Sequence, residues 1–188
     1  MAAQSAFISP EEYLRREEAS ESRHEYIAGR VYAMAGGTFE HGAIVSNVGG
    51  ELHAILKGSG CAHYESEVKV WVESWECSYY PDAMIVCNPN VVDRRLGMID
   101  NPLVIFEVLC ESTEGIDRGA KFAAYAMLPT VRQYVLIDSR QYRAEIFTRA
   151  DHAGEWTESA VEGGDGLIEL VFSGKSIALA DVYAGVTL

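Results

Sequence analysis

The sequence predicts one α/β domain, because segments with the periodicity of strands alternate along the chain with segments that have the periodicity of helices. The chain has 188 residues, an ordinary size for one domain, and no repeat, linker or low-complexity segment divides it. Hydrophobic residues make up 48% of the chain and charged residues 23%, which is typical of a folded globular protein. We therefore expect a single domain over residues 1–188.

The first part of the chain predicts a helix followed by a β-hairpin. In Ser9-Pro10-Glu11-Glu12 a serine N-cap precedes a first-turn proline, and the last glutamate can complete a capping box. A helix is expected from there to about residue 19. Strand-like alternation over residues 23–35 surrounds Ala28-Gly29-Arg30, which indicates a hairpin with its tip at these three residues.

A second helix is predicted over residues 40–57, because apolar residues recur there at helical spacing. Gly49 and Gly50 weaken this pattern, since each costs about 1 kcal/mol relative to alanine inside a helix. We therefore expect another part of the chain to pack closely against the helix backbone at these glycines.

The middle of the chain is rich in predicted strands. Residues 67–73 and 79–87 should form two strands that pair antiparallel. Residues 88–101 predict a loop, which is long enough to be typical of a functional loop. The apolar run 103–110 then predicts a buried central strand.

A helix is expected over residues 114–128, where Pro129 ends it. Its buried face should consist of the apolar residues at helical spacing, Ile116, Ala120, Ala123 and Met127. Residues 133–137 and 143–147 predict two more strands, joined near Ser139-Arg140. The rest of the chain should be strand with a short terminal turn of helix.

Composition limits the functional class. Subtracting 28 acidic from 15 basic residues gives a net charge of −13, which repels polyanions unless basic groups cluster or metal ions intervene. The four cysteines are Cys61, Cys77, Cys87 and Cys110. They contain no CxxC pair, so reduced thiols in the core are favoured. Residues 1–5 show no secretory signal and no apolar run could span a bilayer, so a cytoplasmic protein is expected.

Glu107 is the most informative residue, because it interrupts the apolar run 103–110. A carboxylate removed from water needs a cation, hydrogen-bond donors or a metal ion. From the residues alone it could instead be a structural acid that an arginine satisfies.

Asp82 is a second acid set against an apolar strand, since it follows Pro81 and precedes residues 83–86. Two close carboxylates would repel each other, whereas a hard divalent cation such as Mg²⁺ would bind both. Asp82 could instead cap a turn or mark a bend in an edge strand.

Lys121 lies about two turns into the predicted helix 114–128 and could point back toward Glu107. There it could orient or deprotonate an attacking water and offset charge on a phosphoryl group. Asp117 precedes it by four residues in the favourable order, so a solvent-exposed pair worth about 0.3 kcal/mol also accounts for Lys121.

Several motifs follow one another in order along the chain. The principal ones are Tyr80-Pro81-Asp82, Ile105-Phe106-Glu107-Val108-Leu109 and the segment 117–125. Earlier ones are Glu11-Glu12-Tyr13-Leu14, the segment 23–29, Met34-Ala35-Gly36-Gly37 and His41. Together they resemble the Uma2 family, a group of restriction-endonuclease-like proteins, over roughly residues 8–150.

The resemblance implies the PD-(D/E)xK nuclease fold, a mixed β-sheet flanked by helices, here with an added N-terminal helix and hairpin. It also implies Mg²⁺- or Mn²⁺-dependent hydrolysis of nucleic-acid phosphodiester bonds, with DNA as the expected substrate. Asp82 and Glu107 would be the two acids of the motif, and the backbone carbonyl of Val108 a further metal ligand. Leu109 stands where the motif has its lysine, and Lys121 matches the position to which the family has moved it.

Glu25 and His41 are secondary candidates for the same site. Glu25 on the predicted hairpin could complete the acid cluster. His41 near a helix start could contact a phosphate or hold a ligand, although a lone histidine is more often a capping or packing residue.

Two functions stay open. One is a metal-dependent endonuclease, by analogy a homodimer, that meets nucleic acid through a local basic patch. The residues expected to form that patch are Arg94, Arg95, Arg118, Lys121 and Arg132. The other is a non-catalytic interaction or scaffold protein on a nuclease-like fold, which the acidic net charge favours.

Overall fold

The computed structural model describes residues 7–34 and 36–188, which form a mixed α/β fold with two six-stranded sheets. The predicted α/β class is confirmed. Residues 1–6, where no secretory signal was found, and Ala35, which belongs to the predicted hairpin and to one of the motifs, lie outside the described residues. In the described part of the chain, no helix is long and apolar enough to cross a membrane.

Helix α1 (Pro10–Glu18) begins at the predicted capping signal. The Ser9 Oγ atom accepts a hydrogen bond from the backbone N–H of Glu12 at 3.3 Å. The carboxylate of Glu12 binds the guanidinium groups of Arg15 and Arg16, so the capping box is only half formed.

Strands β1 (His24–Ile27) and β2 (Arg30–Ala33) form the predicted hairpin. Ala28 and Gly29 at its tip have φ angles of 44° and 86°. Positive φ at both central residues is what a two-residue type I′ turn requires, and this turn matches the twist of the strands.

Helix α2 (Phe39–Leu56) confirms the second predicted helix. A Cβ atom at Gly49 would clash with Glu65 Oε1, so the absence of a side chain allows the close approach that the sequence indicates. Nothing lies within 4 Å of a Cβ atom at Gly50, so the expectation of close packing is wrong at that residue.

The remaining elements follow in chain order. The strands are β3 (Cys61–Glu65), β4 (Lys69–Val72), β5 (Cys77–Tyr79), β6 (Ala83–Cys87), β7 (Val91–Asp93), β8 (Met98–Ile99), β9 (Val104–Leu109), β10 (Gln133–Asp138), β11 (Arg143–Thr148), β12 (Thr157–Glu162), β13 (Leu167–Glu169) and β14 (Ser176–Ala178). The helices are α3 (Glu114–Ile116), α4 (Phe122–Ala126) and α5 (Leu179–Val182), and a π-helical turn, Asp117–Lys121, joins α3 to α4.

The first sheet has the strand order β2-β1-β5-β4-β8-β7, and the second has the order β12-β11-β10-β9-β6-β3. Each sheet is mixed, because β4 and β8 pair parallel in the first and β9 and β10 pair parallel in the second, whereas the other neighbours are antiparallel. Strands β13 and β14 form a separate two-stranded sheet.

The predicted strand over residues 79–87 is divided between the two sheets. Its beginning belongs to β5, which pairs antiparallel with β4 as expected, whereas β6 lies in the second sheet between β3 and β9. The division falls at Pro81, because proline has no N–H to donate to a ladder. The predicted loop 88–101 also contains the short strands β7 and β8.

The central strands of the second sheet, β6, β9 and β10, are buried on both faces. Helix α2 and the segment from β13 to α5 cover the face that contains Phe106 and Val108. Helix α4 and the first sheet cover the other face, which contains Ile105 and Leu109. Because side chains alternate along a strand, Glu107 points to this second face, toward the helical segment 114–126.

The predicted helix over residues 114–128 is present as α3, the π-helical turn and α4, but its predicted buried face is wrong. Met127 is 46% exposed and Ala120 is also exposed. The buried residues of this segment are Asp117, Lys121, Ala124, Tyr125 and Leu128. Because two of these buried residues, Asp117 and Lys121, are charged, the spacing of apolar residues does not reveal which face of the segment is buried.

The prediction of four reduced core thiols is also wrong. Cys61 and Cys87 form a disulfide, since the register of β3 and β6 places them directly opposite each other. Cys77 is a buried free thiol, as expected, and Cys110 is free and half-buried. The two cysteines are 26 residues apart, and their pairing depends on the register of β3 and β6, which the spacing of cysteines along the sequence does not predict.

Arg149→Met is expected to lower the free energy of unfolding by about 3 kcal/mol, because buried carbonyls would lose their donors. The Arg149 guanidinium is buried and donates hydrogen bonds to the carbonyls of Ala126, Leu128 and Val131. Urea unfolding measures the change. Arg94→Met, at an exposed arginine, is the control and should change stability by less than about 0.5 kcal/mol. Equal unfolding midpoints for the two variants would contradict this account of Arg149.

Candidate active site

Asp82 and Glu107 lie opposite each other at the end of the β6–β9 ladder. The register pairs Ala83 with Phe106, so one step further it aligns Asp82 with Glu107. Residues opposite each other on antiparallel strands point to the same face. The two acids are therefore brought together on the face that the helical segment 114–126 covers.

Val108 connects the two acids through its backbone. Its N–H donates a hydrogen bond of 2.7 Å to Asp82 Oδ2. Asp82 directly precedes β6, so its side chain takes the place of the backbone acceptor that a longer β6 would offer to Val108. The N–H and C=O groups of one strand residue point to the same edge of the strand. The carbonyl of Val108 is thus directed to the side where Asp82 lies.

Lys121 lies among three carboxylates. Its Nζ atom is 3.1 Å from Glu107 Oε2, 3.1 Å from Asp117 Oδ1 and 3.6 Å from Glu25 Oε1. The pair with Asp117 exists, but the expectation that it is solvent-exposed is wrong, because Asp117 is 2% and Lys121 7% exposed. Both residues belong to the π-helical turn, a helix type that occurs frequently at functional sites.

The carboxylates of this site are incompletely satisfied. Glu25 Oε1 accepts a hydrogen bond from the backbone N–H of Tyr80 at 3.4 Å. Within residues 7–34 and 36–188, Glu25 Oε2 and Asp117 Oδ1 are buried without a hydrogen-bond partner. The second of these atoms is in charge contact with Lys121, but outside hydrogen-bond geometry. The site therefore contains buried carboxyl oxygen atoms that could accept further hydrogen bonds.

Burial and charge shift the pKa values of the cluster. Burial raises the pKa of Glu107 well above its ordinary value and also raises the pKa of Glu25, against the opposing effect of Lys121. Burial disfavours the charged form of Lys121, but the carboxylates outweigh it and raise its pKa well above the ordinary value. The ammonium group of Lys121 stays charged, whereas burial favours the protonated forms of Glu107 and Glu25.

His41 contacts Asp82 from the first turn of α2. Its backbone N–H donates to Thr38 Oγ1 at 3.2 Å, which caps the helix, and its Nε2 atom is 3.2 Å from Asp82 Oδ2. The hydrogen bond with Asp82 raises the pKa of the His41 imidazole. All six residues proposed from the sequence, with Glu25 and His41 among them, therefore meet in one place.

A family model described as "Uma2: Putative restriction endonuclease" matches residues 10–180 of the chain. The chain belongs to the Uma2 family. The resemblance inferred from the motifs is confirmed, and the match extends beyond the region that the motifs cover. That residues 1–188 form a single domain stays a prediction.

Relatives of this Uma2-family chain cover most of its length. An uncharacterized protein of Synechocystis sp. is 34% identical over 179 residues, which are 95% of this chain and 92% of that protein. A second one from the same organism is 29% identical over 171 residues, which are 90% and 96% of the two proteins.

A solved structure confirms the nuclease-like fold class. It is described as "a putative nuclease belonging to DUF820" from Anabaena variabilis, and its superposition gives a TM-score of 0.75. The match covers 94% of this chain and 97% of the other, at 15% sequence identity. The likeness is therefore one of fold.

A cavity of about 550 Å³ leads to the Uma2 site. Besides the acids, Lys121 and His41, it is lined by residues that the sequence did not indicate, among them Cys110, Ser112 and Thr113. Burial opposes ionisation of the Cys110 thiol, but hydrogen bonds with Ser112 and Thr113 outweigh it and lower the pKa. In the sequence, only the position of Cys110 directly after β9 could have indicated that it lines this cavity.

Asp117 and Tyr125 are the site residues that sequence analysis missed. The Tyr125 hydroxyl donates a hydrogen bond of 3.4 Å to Glu107 Oε1, and Asp117 contacts Lys121. Both are four residues from Lys121, so the spacing of the three residues was the available signal.

The predicted basic patch is wrong. Of its five residues, only Lys121 lines the cavity, and carboxylates surround it. Arg118 binds Glu114 and Glu145, and Arg95 binds Glu18. Sequence proximity to the motifs did not place these arginines at the site.

Glu107→Gln is expected to remove a pH-dependent loss of stability. Folding raises the pKa of Glu107 above its ordinary value of 4.5, so above that pH the folded state holds a proton that the unfolded state releases. The free energy of unfolding of the wild type should therefore fall, relative to that of Glu107→Gln, as pH rises above 4.5. Urea unfolding in EDTA at several pH values measures both.

Glu158→Gln, at an exposed position of β12, is the matched control and should follow the wild type at every pH. Parallel curves for the wild type and Glu107→Gln would show that burial does not govern the ionisation of Glu107.

Proposed function

We propose that this chain is a divalent-metal-dependent endonuclease that hydrolyses phosphodiester bonds of nucleic acid, with DNA as the expected substrate. Its family, described by the words restriction endonuclease, supports this reaction class. One observation carries the proposal: Lys121 lies among three carboxyl groups, and Asp82 lines the same cavity. A divalent cation beside these acids would favour their ionised forms and take their oxygen atoms as ligands.

Asp82, Glu107 and the carbonyl of Val108 are the groups that we expect to hold Mg²⁺ or Mn²⁺. All offer oxygen atoms, and Mg²⁺ commonly takes one or two carboxylates and keeps several waters. Among the described residues, no three or more Asp, Glu, His or Cys side chains are arranged as a metal site. Asp82 and Glu107 supply two carboxyl groups from neighbouring strands, and the unpartnered Glu25 Oε2 could accept a hydrogen bond from a water there.

The metal, when bound, would lower the pKa of a coordinated water and neutralise charge on the phosphoryl group. Lys121 Nζ is proposed to donate a hydrogen bond to a non-bridging oxygen of the scissile phosphate. It is unsuited to deprotonate water, because the surrounding carboxylates raise its pKa well above the ordinary value. Glu25 and Asp117 would hold the ammonium group in position.

His41 is proposed to orient Asp82. Its imidazole Nε2 faces the same Oδ2 atom that accepts the hydrogen bond from Val108, so two contacts fix the carboxylate. Hydrogen bonds from neighbouring residues keep a metal-binding side chain in the rotamer that binds the metal.

Asp82→Asn and Glu107→Gln should each lower Mg²⁺- or Mn²⁺-dependent cleavage by a factor of about 10² to 10³ or more, because each removes a charged ligand. Cleavage of DNA and RNA oligonucleotides with each metal measures this, and circular dichroism checks that the variants are folded. Glu158→Gln is the control and should cleave at the wild-type rate. Full activity in either site variant would refute the assignment.

The alternative is a non-catalytic interaction or scaffold protein, and the acidic lining of the cavity favours it. Within the described part of the chain, six acidic side chains line the cavity, Glu21, Glu25, Glu65, Asp82, Glu107 and Asp117. The Lys and Arg side chains of this described lining are two, Arg23 and Lys121. A surface of this charge repels phosphates unless a cation is bound.

Metal binding distinguishes the two functions. About 1 mM Mn²⁺ should raise the melting temperature of the wild type by several degrees, because a ligand that binds only the folded state stabilises it. The shift should be lost in Asp82→Asn and kept in Glu158→Gln. No shift in the wild type, or the same shift in Asp82→Asn, would favour the scaffold.

A further inference from the structure

We propose that the cavity takes unpaired nucleotides, from a single strand or a frayed strand end, and excludes intact duplex. This inference rests on the proposed nuclease function and defines the substrate of the same site. Three features of the described residues support it: the depth of the reacting groups, the walls around them and the small number of cations.

The reacting groups lie at the bottom of the cavity. Glu107 is 1% and Lys121 7% exposed, so a scissile phosphate must enter the cavity to reach them. The cavity has a volume of about 550 Å³. Cavities of this size hold small ligands, which corresponds to one or two nucleotides.

The walls come from several separate segments. Glu21 and Arg23 belong to the connection between α1 and β1, Gly37 precedes α2, and Thr113 follows β9. An unpaired nucleotide can enter between these segments by rotating about its backbone, whereas a paired one must first unpair and unstack. The site is therefore expected to favour nucleotides that are already unpaired.

The cations of the cavity suffice for one or two phosphates. A protein that binds duplex DNA commonly neutralises about 6–10 phosphates with Lys and Arg. Here Lys121 serves the scissile phosphate, and the other arginine or lysine of the described lining is Arg23, whose side chain is 43% exposed. Arg23 also binds Glu67 and the carbonyl of Ser66. We assign to Arg23 the phosphate next to the scissile one.

The test uses the full chain with Mn²⁺ and four probes: a single-stranded DNA 20-mer, the blunt duplex of the same sequence, that duplex with a single-stranded overhang, and bis(p-nitrophenyl) phosphate. The single strand should be cut about a hundredfold faster than the blunt duplex, because the duplex must first unpair. Cuts in the third probe should fall in the overhang. One site suffices for each cut, so the rate per chain should not depend on protein concentration.

Arg23→Gln should raise KM for the single strand about tenfold, as expected for the loss of one charge-assisted phosphate contact. Arg30→Gln, at an exposed arginine of β2 outside the cavity lining, is the control and should leave KM unchanged.

Each outcome decides between the proposals. Cleavage of the blunt duplex within about tenfold of the single strand would overturn the substrate inference and leave the nuclease function standing. Cleavage of bis(p-nitrophenyl) phosphate alone would show that the cavity takes small phosphodiesters rather than strands. Cleavage of none of the four probes would overturn the inference, and if the RNA oligonucleotides also stayed intact it would refute the nuclease function.

Discussion

The burial of one ammonium group among carboxylates is the constraint on which the rest of the structure depends. Lys121 contacts Glu25 of the first sheet, Glu107 of the second sheet and Asp117 of its own helical turn. Removing Lys121 would leave its buried carboxylate partners without a cation, which is far costlier than loss of a surface pair. The cluster therefore joins both sheets to the helical segment, and its carboxyl oxygen atoms make the same place suitable for a cation.

A second buried ion pair supports the cavity wall from the N-terminal side. Glu17 of α1 accepts hydrogen bonds from Lys69 at 3.2 Å, from the Tyr80 hydroxyl at 3.0 Å and from the His24 backbone at 2.9 Å. These contacts attach the added N-terminal helix to the first sheet. Since Tyr80 is two residues before Asp82, the helix also fixes the segment that delivers this acid to the site.

Elements with a local signal were predictable from the sequence. The cap at Ser9, the turn at Ala28-Gly29 and the apolar periodicity of α2 each depend on residues within a few positions of one another. The division of the predicted strand at Pro81 and the disulfide of Cys61 with Cys87 depend on which strands become neighbours. Such pairings join residues far apart in the chain, so local patterns do not specify them.

For the site, the sequence by itself determined the candidate residues and the family. Glu107 stands out because an acid inside an apolar strand requires a partner, and the ordered motifs added Asp82 and Lys121. Only the tertiary structure decided that Lys121 is buried, that its pair with Asp117 is part of the site, and that the expected arginines lie outside the cavity. Burial decided these points, because the energy of a charge depends on the groups that folding brings around it, and those come from separate strands and helices.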